Sequence, residues 1–440
     1  MPNVLLLGAG FVTGPIVEYF SKKNHKITVA SQFLSEAEAL CKGRYNTLPI
    51  QLDVTDQDAI RTLIKDADIV MSFVPYQFHV SIARICIDEQ KCMVTASYTS
   101  KEMRELSEQA KAAGITILNE IGLDPGIDHM TAMQVIDEAH EKGGKVTGFV
   151  SWCGGIPAPS SNNNPLGYKF SWSPMAVLLA VLNDAHYLYD GKPVAISRDN
   201  LLTNMSDVNI NDSLHLKGYP NRDSVSYKSQ YKIPDVQTLL RGTLRYPGFD
   251  IIINAAKKLG LLSSEILVDK NISWYQLMND MESNSVEKIN DMAKQAFEWL
   301  GCYSEQTIKG QSPIDCFCNL LLSKLQYQSD EQDMIVMQHR ILVESDTGEK
   351  QYHISTLIEE GDVGGYSAMA KTVGYPAAIA ADLILSGTIS RKGVCIPVEK
   401  DIYVPIMKEL EKTGIKMIDT VFDSFDESDF FGLEQINQSI

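Results

Sequence analysis

Residues 4–14 read VLLLGAGFVTG. The apolar run Val4–Leu7 has the length and composition of a buried strand. Gly8, Gly10 and Gly14 follow as the chain turns into a helix. This is close to a dinucleotide fingerprint, with one extra residue before the last glycine. Small residues at the strand end let the backbone approach a pyrophosphate, and free N–H groups in the first helical turn point at the anion. The position directly after a short N-terminal strand favours this reading over a ligand-free glycine turn. Gly8 and Gly10 are therefore expected at a dinucleotide diphosphate.

Working outward, Lys26–Ala30 (KITVA) reads as a second strand, followed by Ser31 and Gln32. An acid there would take the ribose 2′-hydroxyl of NAD. Ser31 and Gln32 are neither acidic nor basic, so their hydrogen bonds permit NADP and leave NAD open. Leu48–Leu52 is a third strand ending at Asp53-Val54. Asp53 either meets the adenine edge or caps a helix starting near Thr55. Ile69–Phe73 is a fourth strand, and Val74-Pro75-Tyr76 forms the loop expected under the cofactor. Met93–Ala96, ending in Ser97-Tyr98-Thr99, and Ile115–Leu118 complete six short apolar strands. Helical stretches Pro15–Ser21, Ser35–Lys42, Ala59–Lys65, His79–Gln90 and Glu102–Ala113 separate them. That alternation is the doubly wound α/β pattern. Ligands in such sheets lie outside the C-terminal strand ends. Ser97 to Thr99 and the shaped run 122–129, GLDPGIDH, stand at those ends.

A second unit follows. Asp128–Glu141 reads as a helix, Lys145–Trp152 as a strand, and Met175–Tyr189 as a helix capped by Ser173 with Pro174 at its first position. Arg241–Tyr246 is a basic, strand-like stretch. Gly248–Leu259, Trp274–Met281, Val286–Leu300 and Pro313–Leu325 read as packed helices of an insertion. Met334–Val343 and Lys350–Glu360 form a strand pair with a turn at Asp346-Thr347-Gly348. Tyr366–Leu385 is a long helix interrupted near Gly374 and Pro376, expected to lie back on the nucleotide domain. Ile402–Glu411 is a last helix, and Ser424–Ile440 an acidic tail. The expected organisation is a Rossmann domain at 1–122, an α/β substrate domain at 123–248, an all-helical insertion at 249–328, and a return to the substrate domain at 329–440.

The chain has 440 residues, 44% of them hydrophobic and 22% charged, with a formal net charge of −17. Its length suits more than one core. The negative charge argues against a nucleic-acid partner, while an anionic small molecule remains open to a local arginine pair. The eight cysteines are scattered, which suits a reduced, cytoplasmic protein. The chain enters a core strand at once, leaving no room for a signal peptide, and no run approaches the roughly 20 apolar residues of a membrane helix. Cys316, Cys318, His339 and His353 form a loose cluster at no metal spacing, so no metal is expected.

Arg222 in YPNRDS and Arg245 in GTLRY are candidate carboxylate forks, each flanked by turn residues and tyrosines. Each alone also fits a surface or interdomain salt bridge. Asp124, Asp128 and His129 are acid–base candidates. Asp128 also fits a helix N-cap, and His129 a supporting hydrogen bond. Asp124, just before Pro125, has no evident structural duty and could hold a substrate ammonium or iminium. Tyr98 could donate to a substrate carboxylate or pack in a hinge.

These residues lie in segments that resemble the glutamate-forming saccharopine dehydrogenases, also called saccharopine reductases. The segments are GAGFVTGPIVEYF, VTASY, NEIGLDPGIDHM, SWCGGIPAP, NNPLGYKFSWSP, GYPNRDS, LLRGTLRYPG, DMIVM and GYSAMAKTVGYPAAIA, from Gly8 to about Ala380. The chain is also similar to the dehydrogenase half of the bifunctional lysine-degrading enzyme. The resemblance implies a Rossmann domain plus an α/β substrate domain with a helical insertion. It implies condensation of aminoadipate semialdehyde with glutamate through an imine that NAD(P)H reduces to saccharopine, or the reverse. It places substrate contacts on Ser97, Tyr98, Asp124, Arg222, Thr243 and Arg245. It places nucleotide contacts on Gly10, Phe11, Val12, Thr13, Ser31, Asp53, Val54, Val74, Pro75, Ala96, Leu123, Asp124, Pro125 and Cys153, with Gln32 beside them. Biosynthetic fungal members end the second strand in arginine and use NADP; degradative members commonly carry an acid and use NAD. Gln32 fits neither. Saccharopine's three carboxylates suit two arginines with hydroxyl donors. A homodimer is the expected assembly. The rivals are a dehydrogenase of another secondary amine, of carboxynorspermidine or opine type, and a non-catalytic NADP-binding scaffold.

Overall fold

The computed structural model describes residues 1–266, 268–269, 271–285, 287–426 and 430–431. The chain divides into two compact units, Met1–Glu141 with Gly365–Ile418, and Lys142–Gly364 with the segment from Asp419.

The first unit is built on strands β1 (Asn3–Leu7), β2 (Lys26–Ser31), β3 (Thr47–Gln51), β4 (Ile69–Ser72), β5 (Cys92–Val94) and β6 (Thr116–Leu118). The short strand Gly393–Cys395 joins beside β6, giving a seven-stranded sheet with β6-β5-β4-β1-β2-β3 in sequence across it. All its pairings are parallel. Parallel strands are covered on both faces, which is why Val4–Leu7 and Ile69–Met71 are continuous apolar runs that are fully buried. Pro49, which cannot donate to a ladder, sits in the edge strand β3. Strand order reverses where β1 lies between β2 and β4, the switch point at which such sheets bind ligands.

Helices α1 (Gly14–Lys22), α2 (Leu34–Cys41), α3 (Gln57–Asp66) and α4 (His79–Asp88) connect the strands. The helix expected over Glu102–Ala113 is two short pieces, Lys101–Glu105 and Ser107–Ala112, meeting at Leu106. The late helix Ala368–Leu385 runs unbroken through Gly374 and Pro376 and packs against α1. An interior proline costs about 3 kcal/mol in a helix. Here most of the helix is buried, and that burial outweighs the lost ladder bond. Its 18 residues also meet the length and apolar character of a membrane span. The composition has a simpler cause, since the helix is a core element of this unit.

The second unit is a mixed sheet of β7 (Lys145–Pro157), β8 (Ala185–Tyr189), β9 (Lys192–Ile196), β10 (Ser206–Asn211), β11 (Leu214–Pro220), β12 (Thr238–Arg245), β13 (Asp333–Glu344) and β14 (Lys350–Glu360). Its order is β10-β11-β12-β7-β13-β14, then the strand Ile418–Phe422, with β8 pairing β12 and β9. β12 runs parallel to β7, and β13 is antiparallel to both β7 and β14. Helices Phe249–Lys258, Trp274–Asn284, Asp291–Leu300 and Pro313–Lys324 fall between β12 and β13, as the packed insertion requires. Ser273 with Gln276, and Ser312 with Asp315, form reciprocal capping boxes.

Two expected helices differ. The one expected over Met175–Tyr189 ends at Ala180, and Ala185–Tyr189 is β8. Ser173 does cap its start, but the alternating burial over Ala185–Tyr187 is that of a strand. The helix expected from Val286 begins at Asp291, because Asn290 accepts the Ala293 N–H and sets the boundary; Val286 lies outside the described residues. Of the expected tail Ser424–Ile440, Phe430 and Phe431 are buried and Phe430 packs edge-on against Tyr352. Residues 427–429 and 432–440 lie outside the described residues.

Candidate active site

In the first unit the C-terminal strand ends form a continuous rim. Gly8 has φ +106°, and a Cβ there would meet the Phe73 carbonyl oxygen at 2.6 Å. That close approach lets the loop after β1 lie against Val74 and Pro75 at the end of β4. A Cβ at Gly10 would have nothing within 4 Å. The backbone at Gly10 is therefore open to a ligand, and the turn is fixed by the Thr13 N–H and hydroxyl, both donated to the Gly10 carbonyl. Phe11 is exposed and Val12 half-buried on this turn. A dinucleotide diphosphate fits this crest. Gly14 has a different duty: a Cβ there would strike the Tyr366 ring at 2.6 Å, so it serves packing.

The rim continues at β2. The Ser31 hydroxyl donates to Glu36 Oε2 at 2.8 Å, and Gln51 Nε2 donates to the Gln32 carbonyl. Asp53 and the half-buried Val54 follow β3. Asp53 does not cap the next helix, because Asp56 does, accepting from the Ala59 N–H. Asp53 instead accepts from the Thr55 N–H and hydroxyl, which hold its carboxyl below the usual range. It stays exposed at the strand end.

Beyond β5 and β6 lie three of the expected substrate contacts, Ser97, Tyr98 and Asp124. A Cβ at Gly122 would lie 3.1 Å from the Ala96 Cβ, so the two loops adjoin. Residues 122–126 close on themselves, with the Gly122 N–H on the Pro125 carbonyl and the Ile127 N–H on the Gly122 carbonyl. The Asp124–Pro125 peptide is cis. A side chain at Gly126, φ +149°, would fall 2.1 Å from the Gly122 carbonyl oxygen, so only glycine fits. Leu123 and Pro125 are buried and wall the loop. Tyr98 is exposed, and its hydroxyl donates to Asp124 Oδ1 at 2.8 Å. The donor assigned by sequence to a substrate carboxylate thus orients Asp124.

Two supporting residues were not singled out in the sequence. His79, at the start of α4, is buried, with Nε2 2.9 Å from Ser97 Oγ and Nδ1 2.8 Å from Ser72 Oγ. Burial pushes its pKa down to about 4, so the neutral ring fixes the Ser97 hydroxyl. Glu120 is buried at φ +61° and accepts from the Thr99 N–H and hydroxyl and from His129 Nε2, the last at 2.8 Å. Burial raises its carboxyl, but the His129 and Thr99 hydrogen bonds prevail and hold it below the ordinary range. His129 is thereby a buried partner of Glu120 and not a rim acid. Asp128, inside the first helical turn, accepts from the Gly126 N–H and braces the loop. The only sequence signal for either support was position, a polar residue beside a strand end.

In the second unit β12 carries the cations. Alternation puts Arg241, Thr243 and Arg245 on one face. Thr243 pairs with Tyr219 of β11 and Cys153 of β7, so Cys153 is a buried residue of this sheet. Arg245 is 4% exposed, with its guanidinium carbon 5.0 Å from the Tyr168 ring centroid and 5.2 Å from that of Phe249. One terminal nitrogen donates to the Leu244 carbonyl. Among the described residues, neither Arg245 Nε nor the buried Tyr219 hydroxyl has a hydrogen-bond partner. A buried donor left so is costly and is the mark of a group that awaits an acceptor. Arg222 is exposed beyond the end of β11, where the Asn221 N–H meets the Arg241 carbonyl. It therefore neighbours Arg241, about 13 Å of strand away from Arg245. Arg241, buried over the Tyr227 ring at 4.3 Å, is a third cation that sequence analysis placed in the strand but not in the site.

Comparison with known proteins agrees. Residues 4–118 match the saccharopine dehydrogenase NADP binding domain, and residues 122–415 the saccharopine dehydrogenase C-terminal domain. The chain is 41% identical to saccharopine dehydrogenase [NADP(+), L-glutamate-forming] of Saccharomyces cerevisiae, over 94% of this chain and 98% of that protein. It is 41% identical to the mitochondrial alpha-aminoadipic semialdehyde synthase of Mus musculus, over 94% of this chain but 47% of that protein. The structure of the apo, histidine-tagged L-Glu-forming saccharopine dehydrogenase of S. cerevisiae superposes with a TM-score of 0.86 at 39% identity, over 96% of this chain and all of that one. With both family domains present in order and a relative matched along nearly its whole length, the chain belongs to the L-glutamate-forming saccharopine dehydrogenase family.

Proposed function

We infer that the protein is a saccharopine oxidoreductase of lysine metabolism. It interconverts 2-aminoadipate 6-semialdehyde, L-glutamate, NAD(P)H and a proton with L-saccharopine, NAD(P)⁺ and water. In the forward direction, amine and aldehyde condense to an imine with loss of water; hydride and a proton then add across the C=N bond. The nicotinamide cofactor, when bound, supplies or accepts the hydride. The observation that carries the reading is Arg245, a nearly fully buried guanidinium walled by Tyr168, Tyr219 and Phe249, with an Nε that has no acceptor among the described residues. Such a group suits a substrate carboxylate.

The residue roles follow. Gly8, Gly10, Phe11, Val12 and Thr13 hold the diphosphate, with Val74, Pro75, Ala96, Leu123 and Pro125 along the same rim. Ser31, Gln32, Asp53 and Val54 face the adenosine end. Cys153 sits beside Thr243 in the second unit and is proposed at the nicotinamide end. Arg222, Thr243, Arg245 and Ser97 take substrate carboxylates. Asp124, oriented by Tyr98, holds the reacting nitrogen. We propose that Asp124 orients that nitrogen and does not act as the general base; the Tyr98 hydroxyl held on its Oδ1 supports this role. The active protein is proposed to be a homodimer, and the scattered cysteines suit the cytoplasm; size-exclusion chromatography with light scattering and cell fractionation test these two points.

The central test is an absorbance assay at the nicotinamide band with saccharopine and oxidised cofactor, and with semialdehyde, glutamate and reduced cofactor. Wild type turns over. Arg245→Met loses at least about 100-fold in kcat/KM, or about 2.7 kcal/mol, with cofactor Kd unchanged. An unchanged saccharopine KM would remove Arg245 from the site, and turnover of an opine or carboxynorspermidine in place of saccharopine would replace the substrate.

A further inference from the structure

The rim at the end of β2 carries information that the strand sequence alone does not. After Ser31 the chain reads Gln32-Phe33-Leu34-Ser35-Glu36. Because α2 begins at Leu34, Glu36 falls in its first turn and its carboxylate reaches back over the strand end to Ser31. The Ser31 hydroxyl proton is committed to Glu36 Oε2 at 2.8 Å, and the Phe33 N–H lies 3.4 Å from the Ser31 oxygen. One strand over, the Leu52 N–H donates to the Ser31 carbonyl, and the exposed Asp53 comes next in the chain. Two carboxylates therefore border the place where the adenosine ribose of a dinucleotide lies in this fold.

Cations do not offset them. Between residues 27 and 56 the sequence holds two basic residues, Lys42 and Arg44, both beyond the last turn of α2. The Arg44 guanidinium is engaged by the Leu40 carbonyl and the Tyr366 hydroxyl. A ribose 2′-phosphate would bring negative charge to a carboxylate. A 2′-hydroxyl would bring a donor to one. The first contact is repulsive and the second is a charge-assisted hydrogen bond.

We propose that Glu36, held by Ser31, sets the nucleotide preference of this chain, so that it binds NADH at least as tightly as NADPH. This rests on the reading of the first unit as a dinucleotide domain. It departs from the NADP(+) in the name of the S. cerevisiae relative.

The test is direct titration of the full-length protein with NADH and with NADPH in the absence of substrate, followed by kcat/KM for each cofactor. Wild type is expected to show a Kd for NADH equal to or below that for NADPH. Glu36→Gln should shift the ratio toward NADPH at least about fivefold, and Glu36→Arg at least about fiftyfold, magnitudes ordinary for removing and then reversing one charge at a phosphate. Ser31→Ala, which frees the carboxylate from its anchor, should shift the ratio the same way by less, and provides the check if a Glu36 variant folds poorly. Wild type binding NADPH more than about twofold more tightly than NADH would overturn the proposal, as would a ratio that Glu36→Gln leaves within twofold. Binding of neither cofactor would overturn the dinucleotide reading beneath it. Loss of turnover with cofactor binding intact would instead strike the substrate assignment.

Discussion

Glu120 and Arg245 are both buried charges at the ends of strands, one in each unit, and they are buried in opposite ways. Glu120 is saturated: two contacts from Thr99 and one from His129 occupy its carboxylate. Arg245 keeps an Nε without a partner among the described residues and lies between aromatic rings. A saturated buried charge is part of the scaffold, because removing one member strands the others. An unsaturated one is paid for elsewhere in the fold and is kept for an acceptor that arrives from outside. The contrast explains why His129, an acid–base candidate by sequence, is a buried partner of Glu120, and why Arg245 is the residue proposed to take a substrate carboxylate.

The comparison makes its strongest statement about stability. Glu120→Ala leaves His129 and the Thr99 N–H buried without their acceptor, and is expected to destabilise the first unit by about 3–5 kcal/mol in urea unfolding. A change below about 1 kcal/mol would show that the cluster is not scaffold. Next in size is a pH effect. His79 has its folded pKa pushed down to about 4 from an unfolded value near 6.5. The unfolded chain then takes up a proton that the folded chain refuses, so stability falls as pH drops from about 6.5 to about 4, by roughly 3 kcal/mol in all. His79→Gln should remove that slope and raise the saccharopine KM more than it lowers kcat, since it loosens Ser97. Glu120, with its folded pKa lowered, contributes stability above the unfolded carboxylate value that is lost only as pH falls below it, so the two slopes separate on the pH axis.

Asp124→Ala is expected to lower kcat/KM at least about tenfold, about 1.4 kcal/mol, and Tyr98→Phe to reproduce part of that loss because its hydroxyl orients the carboxylate. Equal activity in both would detach the pair from the chemistry. The smallest effect is the most discriminating. Arg245→Met, which abolishes no ion pair among the described residues, should change unfolding free energy by less than about 1 kcal/mol or raise it. A loss as large as that of Glu120→Ala would make Arg245 scaffold too.

Much of the first unit was legible because its signals are local. Four apolar residues followed by glycines can only be a buried strand entering a tight turn, and six such strands alternating with helices impose a parallel sheet. The strand Gly393–Cys395 was not legible, since three residues carry no period. Met175–Tyr189 misled because a helical start capped by Ser173 runs into an aromatic stretch that β12 and β9 recruit as β8. Pro376 misled in the other direction, because the breaker signal is local and the burial that overrides it is not.

The sequence by itself determined the nucleotide fingerprint, the doubly wound order, the shaped loop around Asp124 and the presence of arginines on a strand. Each is carried by residue type and spacing over fewer than about 20 positions. Only the tertiary structure decided which polar groups are saturated. Glu36 on Ser31, His79 on Ser97, Glu120 on His129 and the Arg245 nitrogen that has no partner among the described residues depend on where a helix turn or neighbouring strand places a side chain. Hydrogen bonds act over 3 Å and take no account of distance along the chain.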